Sequence, residues 1–111
     1  VLYDYANEYF DLEQESPYML LVFKVKKPDK IPAVTHVDLS ARVQTVTKEI
    51  NSNYYDLINE FYKITGVPVL LNTSFNINGE PIVETPKDAI NCFISTNIDE
   101  LIIGQYLVTK E

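Results

Sequence analysis

The sequence predicts an α+β unit, a mixed open sheet with two or three helices, on three observations. Two stretches carry apolar side chains at helical spacing behind residues that cap helices. Short apolar and β-branched runs, too brief for helices, lie around them, and proline, glycine and small polar residues punctuate the joins. At 111 residues the chain has the length of one domain with one modest core, removing roughly two-thirds of its unfolded surface from water. It starts at Val1 with no initiator Met and no basic, apolar leader, so residues 1–111 are read as a single-domain fragment excised from a longer chain.

From Val1 to Glu15 there are five acidic residues and no basic one, and Leu2, Tyr5, Ala6, Tyr9 and Phe10 recur at steps of three and four; this spacing predicts a short amphipathic helix. Ser16-Pro17 breaks it. Tyr18 to Lys27 alternates Phe23 and Val25 with Lys24 and Lys26 and reads as a strand, closed by the turn Lys27-Pro28-Asp29-Lys30. Residues 33–47 read as a strand, a polar turn and a second strand. Asn53 is placed to cap a helix whose stripe is Tyr54, Leu57, Ile58, Phe61 and Tyr62, with Gly66 at its end. Val67 to Leu71 has the apolar character of a strand covered on both faces, and Gly79 to Val83 is another short strand candidate. Thr85-Pro86-Lys87-Asp88 opens a helix to about Ser95 with Ala89, Ile90, Phe93 and Ile94 inward. Leu101 to Val108 then forms a last strand pair bent at Gly104.

Sixteen acidic against nine basic side chains give a net charge of −7, which repels a phosphate backbone over most of the surface and argues against nucleic-acid binding. No apolar run approaches the roughly 20 residues of a membrane span. The single cysteine, Cys92, flanked by Ile90, Phe93 and Ile94, reads as a core thiol and suits a reducing cytoplasm. With one histidine and no second His or Cys at useful spacing, a metal site has little support. Lys24, Lys26, Lys27 and Lys30 read as a solvated strand edge.

Two stretches can carry chemistry. In Asn72-Thr73-Ser74-Phe75-Asn76 an apolar run ends in consecutive amides and hydroxyls. Such groups surround phosphate or carbonyl oxygens without fixing their protonation, although local chemistry alone favours a polar loop capping its own backbone. In the second stretch, period-two alternation puts His36, Asp38, Ser40, Arg42 and Gln44 on one strand face. There the Arg42 fork could grip a phosphate or carboxylate, with Asp38 orienting Arg42 or His36; the bland alternative is an exposed face with a surface ion pair.

Taken in order, Ser16-Pro17-Tyr18-Met19, Pro32-Ala33-Val34-Thr35-His36-Val37-Asp38, Ala41-Arg42-Val43-Gln44-Thr45-Val46, Thr65-Gly66-Val67-Pro68-Val69-Leu70-Leu71-Asn72-Thr73-Ser74-Phe75-Asn76, Gly79-Glu80-Pro81-Ile82-Val83 and Gly104-Gln105-Tyr106-Leu107-Val108 resemble the C-terminal end of the nodulation-type and antibiotic-biosynthesis O-carbamoyltransferases. The blocks span nearly the whole chain. Leu39 stands where that family commonly shows Gly, and the family's basic Arg-Pro-Phe-Ala-Pro-like run precedes the region matching Val1. The resemblance implies a domain similar to threonylcarbamoyl-adenylate synthases, whose Ser-Ala-Asn-x-Ser-Gly phosphate loop is echoed by Ser74-Phe75-Asn76-Ile77-Asn78-Gly79.

The resemblance further implies a parent enzyme in which this domain turns ATP and carbamoyl phosphate into carbamoyl-adenylate. An N-terminal actin-like, metal-containing domain of the same chain, its partner, then passes the carbamoyl group to a small-molecule hydroxyl acceptor. On that reading Arg42 is the catalytic residue, and Thr35, His36, Asp38, Arg42, Asn72, Thr73, Ser74 and Asn76 bind substrate and nucleotide, with no metal in this fragment and no activity of the fragment alone. The alternative is a non-catalytic packing or regulatory module that closes over a partner domain.

Overall fold

A computed structural model describes all 111 residues, Val1–Glu111. The chain divides into two compact units, Val1–Leu71 and Asn72–Glu111. Three α-helices and four short strands give the α+β class that the sequence predicts, and the strands form two separate antiparallel pairs.

The first unit opens with α1 (Tyr3–Tyr9), which no side chain caps. Instead, the Leu2 N–H donates to the Pro68 carbonyl at 3.2 Å and the Tyr3 N–H to the Val46 carbonyl at 3.0 Å, so neighbouring backbone satisfies the helix's first orphan donors. The helix is shorter than its periodicity suggests because Phe10 becomes extended and pairs antiparallel with Val25. Phe10 and Leu12 remain buried, and an apolar residue facing the same core from an extended segment looks helical in a sequence.

Strand β1 (Val22–Lys24) pairs with β2 (Ser40–Arg42) in the register Val22↔Arg42, Phe23↔Ala41 and Lys24↔Ser40. Ala41 is buried and Phe23 packs on the core, so Val22, Lys24, Ser40 and Arg42 take the outer face. The expected strand over Tyr18–Lys27 is therefore only three residues long; Met19, at φ 55°, turns the chain before it. Residues 33–47 also differ from expectation, because a 3-10 turn (Pro32–Val34) replaces the first strand. The Pro32 ring fixes a helix-like φ at its start.

Helix α2 (Ser52–Thr65) is capped by Asn51 rather than Asn53: the Asn51 side chain accepts from the Tyr54 N–H at 3.1 Å. It ends on Gly66, whose left-handed φ of 73° lets its N–H reach the Tyr62 carbonyl. Of the expected stripe, Ile58 is fully buried, but Leu57 is 56% and Phe61 37% exposed. Two apolar clusters fill this unit. Ala6, Phe10, Val25, Ala41 and Val43 belong to one, and Leu2, Val46 and Ile58 to the other. Buried Ser16 and Thr45 latch the chain before Pro17: the Ser16 N–H donates to Thr45 Oγ1 at 2.8 Å, Ser16 Oγ to the Val43 carbonyl at 2.9 Å, and the Thr45 N–H to the Ser16 carbonyl at 2.9 Å. Val67 to Leu71 forms no strand, and Leu71 is 61% exposed, so this run is not covered on both faces.

In the second unit α3 (Pro86–Ser95) carries the full capping box that Thr85 and Asp88 predict. Its buried side is Ala89, Cys92 and Phe93, while Ile90 and Ile94 face solvent, a rotation of the helix away from the expected stripe. Cys92 is a buried free thiol. Strands β3 (Glu100–Ile103) and β4 (Tyr106–Thr109) form a hairpin around Gly104-Gln105. Gly104 has φ 59°, the left-handed conformation that a tight two-residue hairpin loop requires at its first position. Leu101 and Val108, paired across the hairpin, close a core over Phe93 and Ala89 with Phe75 and Val83. Gly79 to Val83 is not a strand.

Candidate functional site

The polar turn between the 3-10 turn and β2 is built from its own hydrogen bonds. The Leu39 N–H donates to the His36 carbonyl at 2.9 Å and the His36 N–H to the Ser40 carbonyl at 2.8 Å, which closes the backbone into a loop with Val37 fully in solvent. The Ser40 hydroxyl and N–H both donate to Asp38 Oδ1, at 2.6 and 3.1 Å. These bonds, the hydroxyl's first, pull the Asp38 carboxyl below its ordinary value. His36 Nδ1 lies 3.2 Å from the same Ser40 Oγ. Leu39 sits at φ 63°, a left-handed conformation that costs a non-glycine residue on the order of 1–2 kcal/mol.

The single strand face expected for His36, Asp38, Ser40, Arg42 and Gln44 is therefore corrected. The turn bends the chain, His36 and Asp38 meet through Ser40, and only Ser40 and Arg42 share the outer face of β2. Gln44 donates to the Pro17 carbonyl at 3.2 Å. Thr35 spends its hydroxyl on the Ile31 carbonyl at 2.8 Å, which locks the 3-10 turn. Ser40, one of five polar side chains in the sequence pattern, turns out to be the hub; its signal is the Asp-x-Ser spacing that lets a carboxylate cap the backbone two residues on.

Arg42 is exposed and forms no ion pair. Lys24 and Lys30 likewise form no ion pair, whereas the unit's other lysines are paired. Lys27 pairs with Glu8 at 3.2 Å, and Lys26 reaches the side chain and carbonyl of Asn7 and lies 3.9 Å from Asp11. These lysines tie the β1 end to α1 rather than simply fringing a solvated edge.

The second polar segment begins the other unit. Thr73 and Ser74 are exposed, and Phe75 anchors the segment by packing on the Phe93 core while its carbonyl accepts from the Val83 N–H at 2.9 Å. Asn76 donates to the carbonyls of Ile77 and Glu80, at 2.9 and 3.1 Å, and braces a turn in which the Glu80 N–H meets the Ile77 carbonyl. Gly79 stands in that turn at φ 87°, where a side chain would be strained.

An apolar groove of about 250 Å³ in the first unit is lined by Pro32, Val34, Phe61, Val67 and Leu71 beside Lys30. A cleft of about 420 Å³ in the second carries Glu80, Glu84, Asp88 and Asn91. No three His, Cys, Asp or Glu side chains converge as a metal site would require, and no helix is long and apolar enough to cross a membrane.

Comparison with known proteins places this arrangement. The chain is 50% identical over 115 residues to nodulation protein NolNO of Sinorhizobium fredii, which covers 99% of the chain and 17% of that protein. It is 46% identical over 110 residues to nodulation protein NolO of Bradyrhizobium diazoefficiens, covering 95% and 20%. It is 40% identical over 95 residues to a 3'-hydroxymethylcephem-O-carbamoyltransferase of Amycolatopsis lactamdurans, covering 86% and 18%. The chain thus spans about a fifth of the length of these relatives. The model of the carbamoyltransferase C-terminus family matches residues 1–110, and the chain belongs to that family.

Proposed function

We propose that this chain is the C-terminal portion of an O-carbamoyltransferase and serves the step that activates the carbamoyl group. In that step water attacks the phosphorus of carbamoyl phosphate, the bond from phosphorus to the carbamoyl oxygen breaks, and carbamate and inorganic phosphate result. A carbamate oxygen then attacks the α-phosphorus of ATP, the bond to the β-phosphate oxygen breaks, and carbamoyl-adenylate and pyrophosphate result. A domain like that of the threonylcarbamoyl-adenylate synthases suits this chemistry, and the adenylate would pass to an N-terminal actin-like domain of the same cytoplasmic parent for transfer to a hydroxyl acceptor.

The observation that carries the proposal is Arg42: an exposed guanidinium with no carboxylate partner in a chain of net charge −7. An acidic surface supplies many possible partners, so a lone arginine on an ordered strand is free to hold an external anion. Its planar fork would bind phosphoryl oxygens two at a time and stabilise the charge that builds as pyrophosphate leaves. Thr73 and Ser74 would donate to phosphate oxygens, with Asn72 and Asn76 fixing the loop and adding amide contacts. Within the first unit, Thr35, His36 and Asp38 would add further substrate contacts.

The test is exchange of labelled pyrophosphate into ATP by the full-length parent, with and without carbamoyl phosphate. Exchange that depends on carbamoyl phosphate is expected. The 111-residue chain alone is expected to give none, since it is about a fifth of the length of its relatives. A parent that transfers carbamoyl groups with no such exchange would favour the second reading, a packing module. The 41–79% exposure of Leu20, Leu21 and Val22 is what that reading would explain.

A further inference from the structure

The hydrogen bonds of the polar turn fix more than its shape. A carboxylate only accepts, so at 2.6 Å the proton between Asp38 and Ser40 belongs to the serine. A hydroxyl has one proton. Having given it to Asp38, Ser40 Oγ meets His36 Nδ1 at 3.2 Å with lone pairs alone. The bond forms only if Nδ1 carries the hydrogen, and a neutral imidazole with Nδ1–H has a bare acceptor at Nε2. His36 is exposed and its Nε2 has no protein partner.

We propose that Ser40 is a positioning residue: held by Asp38, it locks His36 as the Nδ1–H tautomer so that Nε2 accepts a hydrogen bond from the amide N–H of a carbamoyl group. The second half of this inference rests on the function proposed above. Its chemistry follows from what carbamoyl phosphate presents. Its phosphate oxygens only accept, and Arg42, two residues along the same strand face, only donates. The carbamoyl NH2 is the ligand's one donor group, and it requires an acceptor. Acetyl phosphate, otherwise alike in shape, has a methyl group there and would leave Nε2 unpaired. The strained Leu39 fits this account, because it bends the chain so that residues 36, 38 and 40 converge instead of running along a strand. A site built on hydrogen bonds rejects a ligand lacking the matching group more strongly than a site built on shape.

His36 is the only histidine of the chain, so long-range proton–nitrogen NMR spectra of the labelled 111-residue protein above pH 8 read its tautomer without assignment work. Wild type should show the proton on Nδ1. Ser40→Ala should move it mainly to Nε2, the form free imidazole prefers, and Ser40→Thr should restore Nδ1–H. A wild-type proton on Nε2 overturns the inference whether or not any variant folds. In the parent, preference for carbamoyl phosphate over acetyl phosphate as a competitor in the exchange reaction should fall about tenfold in Ser40→Ala and recover in Ser40→Thr. An unchanged preference beside intact wild-type exchange contradicts the ligand assignment. Absence of carbamoyl-phosphate-dependent exchange in wild type instead contradicts the function, and the NMR result still decides the tautomer.

Discussion

The segments His36–Arg42 and Asn72–Asn76 are similar as strings of short polar side chains, and the structure treats them in opposite ways. In the first, one hydroxyl joins a carboxylate and an imidazole, and the backbone closes on itself at both sides of Leu39. In the second, Phe75 is pinned in an apolar core and Asn76 braces the following turn, but the side chains of Thr73 and Ser74 stand exposed and uncommitted. The difference is between groups that orient one another and groups held in place only through their backbone. An oriented acceptor selects a ligand by its donor pattern, whereas free hydroxyls adapt to oxygens they can reach.

If the second segment depends on its apolar anchor, removing the floor beneath it should have the largest effect. Phe93 is 1% exposed and is packed with Phe75 and Leu101, so Phe93→Ala should cost about 3–5 kcal/mol in denaturant unfolding. Phe61→Ala should cost only about 1 kcal/mol, because Phe61 is 37% exposed at the rim of a groove. Equal costs would show that burial does not separate these two phenylalanines.

That pair also shows what was legible in the sequence. Thr85, Pro86 and Asp88 announced the start of α3 because a capping box is local chemistry, complete within four residues. Which apolar residues face inward was less legible. Ile90 and Phe61 satisfy helical periodicity, but a helix packed on a small core buries only a narrow stripe, and the choice is made by partners distant in sequence. The same limit hid the end of α1, since Phe10 keeps its apolar periodicity while pairing with Val25. The candidate site was legible as composition. Its geometry was not, because Leu39 takes a left-handed conformation that a leucine does not announce, and this turns an apparent strand face into a closed loop.

The Ser16–Thr45 latch tests the cross-bonded side of the comparison. Thr45→Val removes the acceptor of a buried N–H while nearly keeping volume, so it should destabilise by about 1–3 kcal/mol. A smaller effect is expected from Ser74→Ala. With no hydrogen bond inside the protein, this change should leave the melting temperature alone and weaken ligand binding in the parent by about 0.5–1.5 kcal/mol. A large loss of stability in Ser74→Ala would mean that the second segment is cross-bonded after all. The smallest effect should come from Leu39→Gly, which relieves the left-handed strain and gives back part of the gain as unfolded-state entropy. A net stabilisation of about 0.5–1 kcal/mol is expected by thermal melting.

The central claim, that Arg42 acts on charge developing during carbamoyl activation, is tested most directly by Arg42→Lys in the full-length parent. Lysine keeps the positive charge and loses the planar fork. Single-turnover formation of carbamoyl-adenylate should fall roughly a hundred- to a thousand-fold, with ATP affinity changed much less and the melting temperature unchanged. A variant that forms the adenylate at the parental rate would contradict the account, and Arg42 would then be a surface arginine with no part in the chemistry.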